Sequence, residues 1–220
     1  MTTGFTPPTQ TVKEGLNTPG LTVVTVLNTL QETAGAQYAN LLQAAGLARF
    51  LTALPPPDLM MVASSAEMTR LYNTIFQMLG LDLTRLFFRN WGRAVGHKYL
   101  NPPGPLYERY VPLHAAVVAA PPDEKLWTLL LGMCQELQRV WCPAEIRQDN
   151  ERIYLTLLDC PICRGITTAT RPICENSTEI IRVLSRAWIG RRFHIEESRC
   201  RAQQHIDAPS AVCEFAVLKN

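Results

Sequence analysis

Five of the seven cysteines fall between Cys160 and Cys213, and a carboxylate, Glu197, stands three residues before Cys200. No other feature limits the fold as strongly, because that many thiols must be bridged, bound to metal or buried as small apolar groups. The total is odd and unevenly spread. The chain starts MTTGFTPPTQ, which is polar and lacks the apolar core of a secretory signal. Both observations place the protein in the cytoplasm with reduced thiols, so metal or redox chemistry comes before a disulfide framework.

The 220 residues suit one domain. Residues 1–19 are expected to be a flexible N-terminal arm. Residues 20–220 form a single domain, with a helical half over about 20–140 and a cysteine-rich sheet half over about 141–220. The formal charge of +2 comes with no basic stripe, so nucleic acid is not an expected partner. No run of about 18 apolar residues exists, so no membrane span is expected.

Hydrophobic spacing gives the element order. Val23, Val24, Val26, Leu27 and Leu30 predict a short helix, with a β-branched strand as the rival reading. A helix over 35–54 is expected, stopped by Pro55-Pro56-Pro57. Ser64 and Glu67 fit a capping box opening the next helix, which Gly80 ends and Asp82 restarts as far as Tyr99. After the break at 101–105, residues 106–120 are left unassigned, and a last helix starts near Pro122 and runs to Gln138. The periodicity then changes. A hairpin turns at 148–151, a helix runs from Cys174 to Trp188 and closes at Gly190, and strands 192–198 and 212–218 finish the chain. The fold class is α+β: N-terminal helices followed by an antiparallel sheet with a covering helix.

Strand alternation selects a site. Phe193, Ile195 and Glu197 share one face, which turns a carboxylate toward the core, where it is costly unless paired, protonated or metal-bound. Cys213 shares a face with Phe215 and Val217. Cys174 stands on the helix stripe of Ile181, Leu184 and Trp188, at the helix N-terminus, which favours a thiolate. Cys174, Glu197, Cys200 and Cys213 therefore form a candidate quartet that would close a tetrahedral, structural zinc site. The alternative is small buried thiols with Glu197 paired to an arginine. Cys160 and Cys163 form a separate CxxC, read as a redox pair, a second metal pair or a buried loop anchor.

Asp159-Cys160-Pro161, Arg171-Pro172-Ile173-Cys174, Gly190, Glu197-Ser198-Arg199-Cys200 and Cys213-Glu214-Phe215 together resemble the 4-vinyl reductase domain family. The resemblance implies the α+β fold of TRAPP vesicle-tethering subunits and of the sensor domains of aromatic-responsive transcription activators. It also implies a zinc held by Cys174, Glu197, Cys200 and Cys213. The connection from Arg201 to Val212 is longer than the family's and lacks its Gly, which opens a role for His205.

The function this implies is a small-molecule sensor or carrier with a structural zinc and a hydrophobic or aromatic ligand, in a homodimer. Phe87, Trp91, Tyr107 and Trp127 are the candidate ligand contacts, with plain core packing as the other reading of each. Two alternatives stand beside it: a reductase or accessory protein acting on a vinyl group of a chlorophyll-type tetrapyrrole, and an interaction scaffold. No GxGxxG, P-loop or flavin signature is present, so no catalytic residue is assigned.

Overall fold

A β-branched stretch decides its own conformation at the start of the chain. The hydroxyls of Thr25, Thr29 and Thr33 each donate to the carbonyl four residues earlier, at 2.6, 2.9 and 2.8 Å. The run over 21–33 is thereby polar-satisfied as a helix and not as a strand. The computed structural model describes residues 16–101, 104–167, 169–203 and 212–219. Of the expected N-terminal arm, residues 1–15 lie outside the described residues, and Leu16–Pro19 form strand β1.

The helical half consists of α1 (Gly20–Ala34), α2 (Tyr38–Ala44), α3 (Arg49–Thr52), α4 (Ser65–Leu100), α5 (Pro105–Ala119) and α6 (Lys125–Val140), with strand β2 (Met61–Ser64) paired antiparallel to β1. The single helix expected over 35–54 is broken, because Gly46 takes φ 73°, a left-handed turn between α2 and α3. Ser64 and Glu67 make the reciprocal capping box at the start of α4. Gly80 (φ 73°, ψ −178°) kinks α4 instead of separating two helices. The unassigned stretch is α5, which carries Pro112 inside it.

The second half is a four-stranded antiparallel sheet, β3 (Ala144–Gln148), β4 (Arg152–Leu157), β5 (Ile195–Arg199) and β6 (Cys213–Leu218), in the order β3-β4-β6-β5. Helix α7 (Glu175–Trp188) joins β4 to β5 and packs chiefly on α4. The fold class is therefore α+β. Ile153, Leu155, Leu157, Ile195, Phe215 and Val217 from the sheet join Phe87, Phe88, Leu129 and Leu130 from the helices in one continuous core. Among the described residues no helix is long and apolar enough to cross a membrane.

Two glycines allow α7 to lie close against α4. A Cβ at Gly92 would stand 2.3 Å from the carbonyl oxygen of Asn176, and one at Gly96 would stand 2.9 Å from Cβ of Val183. Spaced four apart, they share one helix face. Glu175, in the first turn of α7, pairs with Arg85 at 2.5 Å and Arg89 at 3.1 Å across the same contact. This close approach sets the position of the α7 N-terminus, and so of Cys174.

Candidate metal centre

Four segments converge on one buried point. The loop after β4 brings Cys160 and Cys163, the N-cap of α7 is Cys174, the end of β5 carries Glu197 with Cys200 just beyond, and β6 opens with Cys213. All five thiols are essentially excluded from solvent. Sulfur–sulfur separations are 2.9 Å for Cys163–Cys174, 3.3 Å for Cys160–Cys174, 3.5 Å for Cys163–Cys213, and 3.7 Å for both Cys174–Cys213 and Cys163–Cys200.

Each arrival has a local cause. The loop carrying Cys160 and Cys163 is folded back by Asp159, which pairs with Arg164 and with Arg201. Gly165 turns with φ 83° against Asn73, whose side-chain nitrogen a Cβ there would meet at 2.7 Å. The amide of Ala169 donates to the carbonyl of Ala202 at 3.1 Å, joining this loop to the turn after Cys200. A register shift between Glu197 and Arg199 in the β5–β6 pairing lets the chain leave the sheet toward Cys200.

The Glu197 carboxylate accepts the backbone N–H of Cys174 at 2.8 Å through Oε2, and Oε1 is buried with no hydrogen-bond partner among the described residues. Burial, reinforced by the neighbouring Cys200, pushes its carboxyl well above the ordinary range. Burial likewise raises the thiols of Cys163 and Cys174, while hydrogen bonds from Cys163, Cys174 and Cys213 pull Cys200 down. Six acids this close cannot all ionise in a dry pocket unless a cation compensates them.

The residues selected by alternation, Cys174, Glu197, Cys200 and Cys213, all arrive at this cluster, and Glu197 has no arginine or lysine paired to it among the described residues. Cys160 and Cys163, read as a pair of their own, belong to the same cluster. The CxxC is not separate from Cys174, because the loop after β4 folds back onto the α7 N-cap and brings Cys160 and Cys163 to 3.3 and 2.9 Å from the Cys174 sulfur. The CxxC spaced eleven residues ahead of Cys174 was the available signal. Cys134 and Cys142 are buried elsewhere in the core. His205 lies outside the described residues.

The candidate ligand contacts do not form one site. Phe87 and Trp91 are fully packed in an aromatic cluster with Tyr72 and Phe88. Trp127 lies against the core. Tyr107 alone reaches a cleft, about 380 Å³, with Tyr99, Tyr110, His114 and Trp188 on its walls.

No known family profile and no curated protein matches the chain. Solved structures do. One, described as probing heme distortion in the H-NOX family, is 13% identical, with a TM-score of 0.51 over 91% of this chain and 93% of its own. An H-NOX protein from S. oneidensis in the Fe(II)NO ligation state is 13% identical, with a TM-score of 0.48 over 92% of this chain and 100% of its own. The first likeness corrects the family expectation: the arrangement of helices and sheet over nine-tenths of the chain goes with an H-NOX domain, not with a 4-vinyl reductase domain or TRAPP subunit. The function read from that family falls with it, as does zinc as the implied cofactor, since the structure that shares the fold is described by its heme. What is similar is the fold.

Proposed function

We propose that this chain is a metal-dependent sensor domain in which Cys160, Cys163, Cys174 and Cys213 hold a thiophilic metal ion as thiolates. The observation that carries this reading is the convergence of four buried sulfurs, all within 4.8 Å of one another. In a tetrahedral centre with metal–sulfur bonds of about 2.3 Å the sulfurs stand about 3.7 Å apart, which is the upper end of the separations in this pocket. Soft thiolate donors select soft or borderline ions, such as Cu(I) or iron. The ion would join four separate segments, so its gain or loss would change how α7 is anchored. A local change of bonding with a global readout is what a sensor needs. A reducing compartment such as the cytoplasm keeps the ligands available.

Heme is the group that the like-folded structures are described as carrying, and it needs an enclosed slot with an axial ligand. Among the described residues no histidine is placed in such a slot. The Tyr107 cleft is open to solvent on one side, and the imidazole of His114 lies against the indole of Trp188, ring centres 5.2 Å apart. His97 sits at the end of α4, and His194 is exposed beside Glu196 at 3.8 Å.

A second reading has its own support. Tyr99 and Tyr110 stack at 4.0 Å in that cleft, whose size is at the small end for ligand sites and suits a flat aromatic molecule. Homodimer formation fits the exposed apolar residues Leu54 and Met60, between α3 and β2, and Met61 at the start of β2.

The test is elemental analysis of the reduced protein purified without chelators. At least one transition-metal ion per chain is expected, with thiols that resist alkylation until the ion is removed. A folded, stable, metal-free protein would overturn the reading.

A further inference from the structure

One ion does not use every donor in the pocket. The donors sort into two overlapping quartets, Cys160, Cys163, Cys174 and Cys213, and Cys163, Glu197, Cys200 and Cys213, each with all its ligand atoms within 4.8 Å. Cys163 and Cys213 belong to both and stand 3.5 Å apart. Thiolate sulfur has enough lone pairs to bridge two ions. Cys160 and Cys174 complete one quartet, and Glu197 and Cys200 complete the other. An independent observation points to the second position: Oε1 of Glu197 is buried and unpartnered among the described residues. A buried carboxylate oxygen without a donor is costly, and a cation is the partner that removes the cost.

We infer that the pocket binds two thiophilic metal ions, one held by Cys160 and Cys174, the other by Glu197 and Cys200, with Cys163 and Cys213 bridging them. The inference rests on the metal reading above. Charge favours it. Five thiolates and one carboxylate carry six negative charges, so two divalent ions leave a net charge of −2 where one leaves −4. The balance is a proton displacement: each protonated donor, thiol or the Glu197 carboxyl, releases its proton to solvent as it takes up the metal, and no redox partner is required.

The experiment is an anaerobic titration of the reduced full-length protein with Co(II), followed by thiolate-to-cobalt charge-transfer absorption and magnetic susceptibility. Two equivalents are expected, the second lowering the magnetic moment per cobalt because bridging thiolates couple the ions. Glu197→Gln and Cys200→Ser should each stop at one equivalent while keeping the four-thiolate spectrum of the first. A wild-type endpoint at one equivalent overturns the two-ion inference and leaves the four-thiolate site standing. No binding at all overturns both. Two equivalents in both variants would also overturn it. The wild-type endpoint decides the matter even where a variant does not fold.

Discussion

The backbone N–H of Cys174 donates to the carboxylate of Glu197 at 2.8 Å, tying the first residue of the α7 cap to the end of β5. The carboxylate thus satisfies one of the orphan donors of the helix N-terminus, while its other oxygen is buried without a hydrogen-bond partner among the described residues. Glu197→Ala should therefore act twice, removing a helix-cap bond and a metal donor. The cap alone is worth about 1 kcal/mol. A loss clearly larger than that, by urea denaturation of the metal-loaded protein, is expected.

Chelation should unfold the sheet half more than the helical half, because metal binding there is folding energy. A loss of about 4 kcal/mol would lower Tm by roughly 10 °C in a chain of this size. Hydrogen exchange before and after chelation checks the location. The amides around residues 159–175 and 195–203 should lose protection first.

Gly92→Ala places a methyl group 2.3 Å from the carbonyl oxygen of Asn176, which is backbone and cannot rotate away. Overpacking of this kind costs about 1–3 kcal/mol. It should also weaken Co(II) binding, because moving α7 away from α4 moves Cys174. An equally destabilising change remote from α7, such as Leu41→Ala, should lower stability and leave cobalt affinity unchanged.

Glu67 reports on the N-terminus of α4. Burial opposes its ionisation, but the Ser64 amide and hydroxyl and Arg49, at 2.7 Å, outweigh it and hold the carboxyl below its ordinary value. A depressed folded value means the contribution is present above the unfolded pKa and is lost as pH falls through the folded one. The stability difference between wild type and Glu67→Gln should thus be full at pH 7 and vanish at acid pH. Its size should be about 1 kcal/mol, that of a cap bond screened at the surface.

Local signals were legible in the sequence wherever neighbours in the chain decide the outcome. Ser64 with Glu67 announced the start of α4, and the alternation of Phe193, Ile195 and Glu197 turned the carboxylate inward. The helix expected over 35–54 missed a backbone choice without a side-chain signal, the left-handed turn at Gly46, and 106–120 could not be assigned because Pro112 is tolerated inside α5. The joining of Cys163 to Cys174 was hidden because it depends on tertiary events, the Asp159 pairs with Arg164 and Arg201 and the close approach at Gly92. The family resemblance drawn from the cysteine motifs misled about the fold's relatives, although those same motifs pointed to the residues that meet.

X-ray absorption at the edge of the bound metal, on native protein purified without chelators, reads the donor atoms of the pocket. The expected result is a set of metal ligands dominated by sulfur at about 2.3 Å. A shell of four nitrogens, as a porphyrin would give, or the absence of any stoichiometric metal, would contradict it.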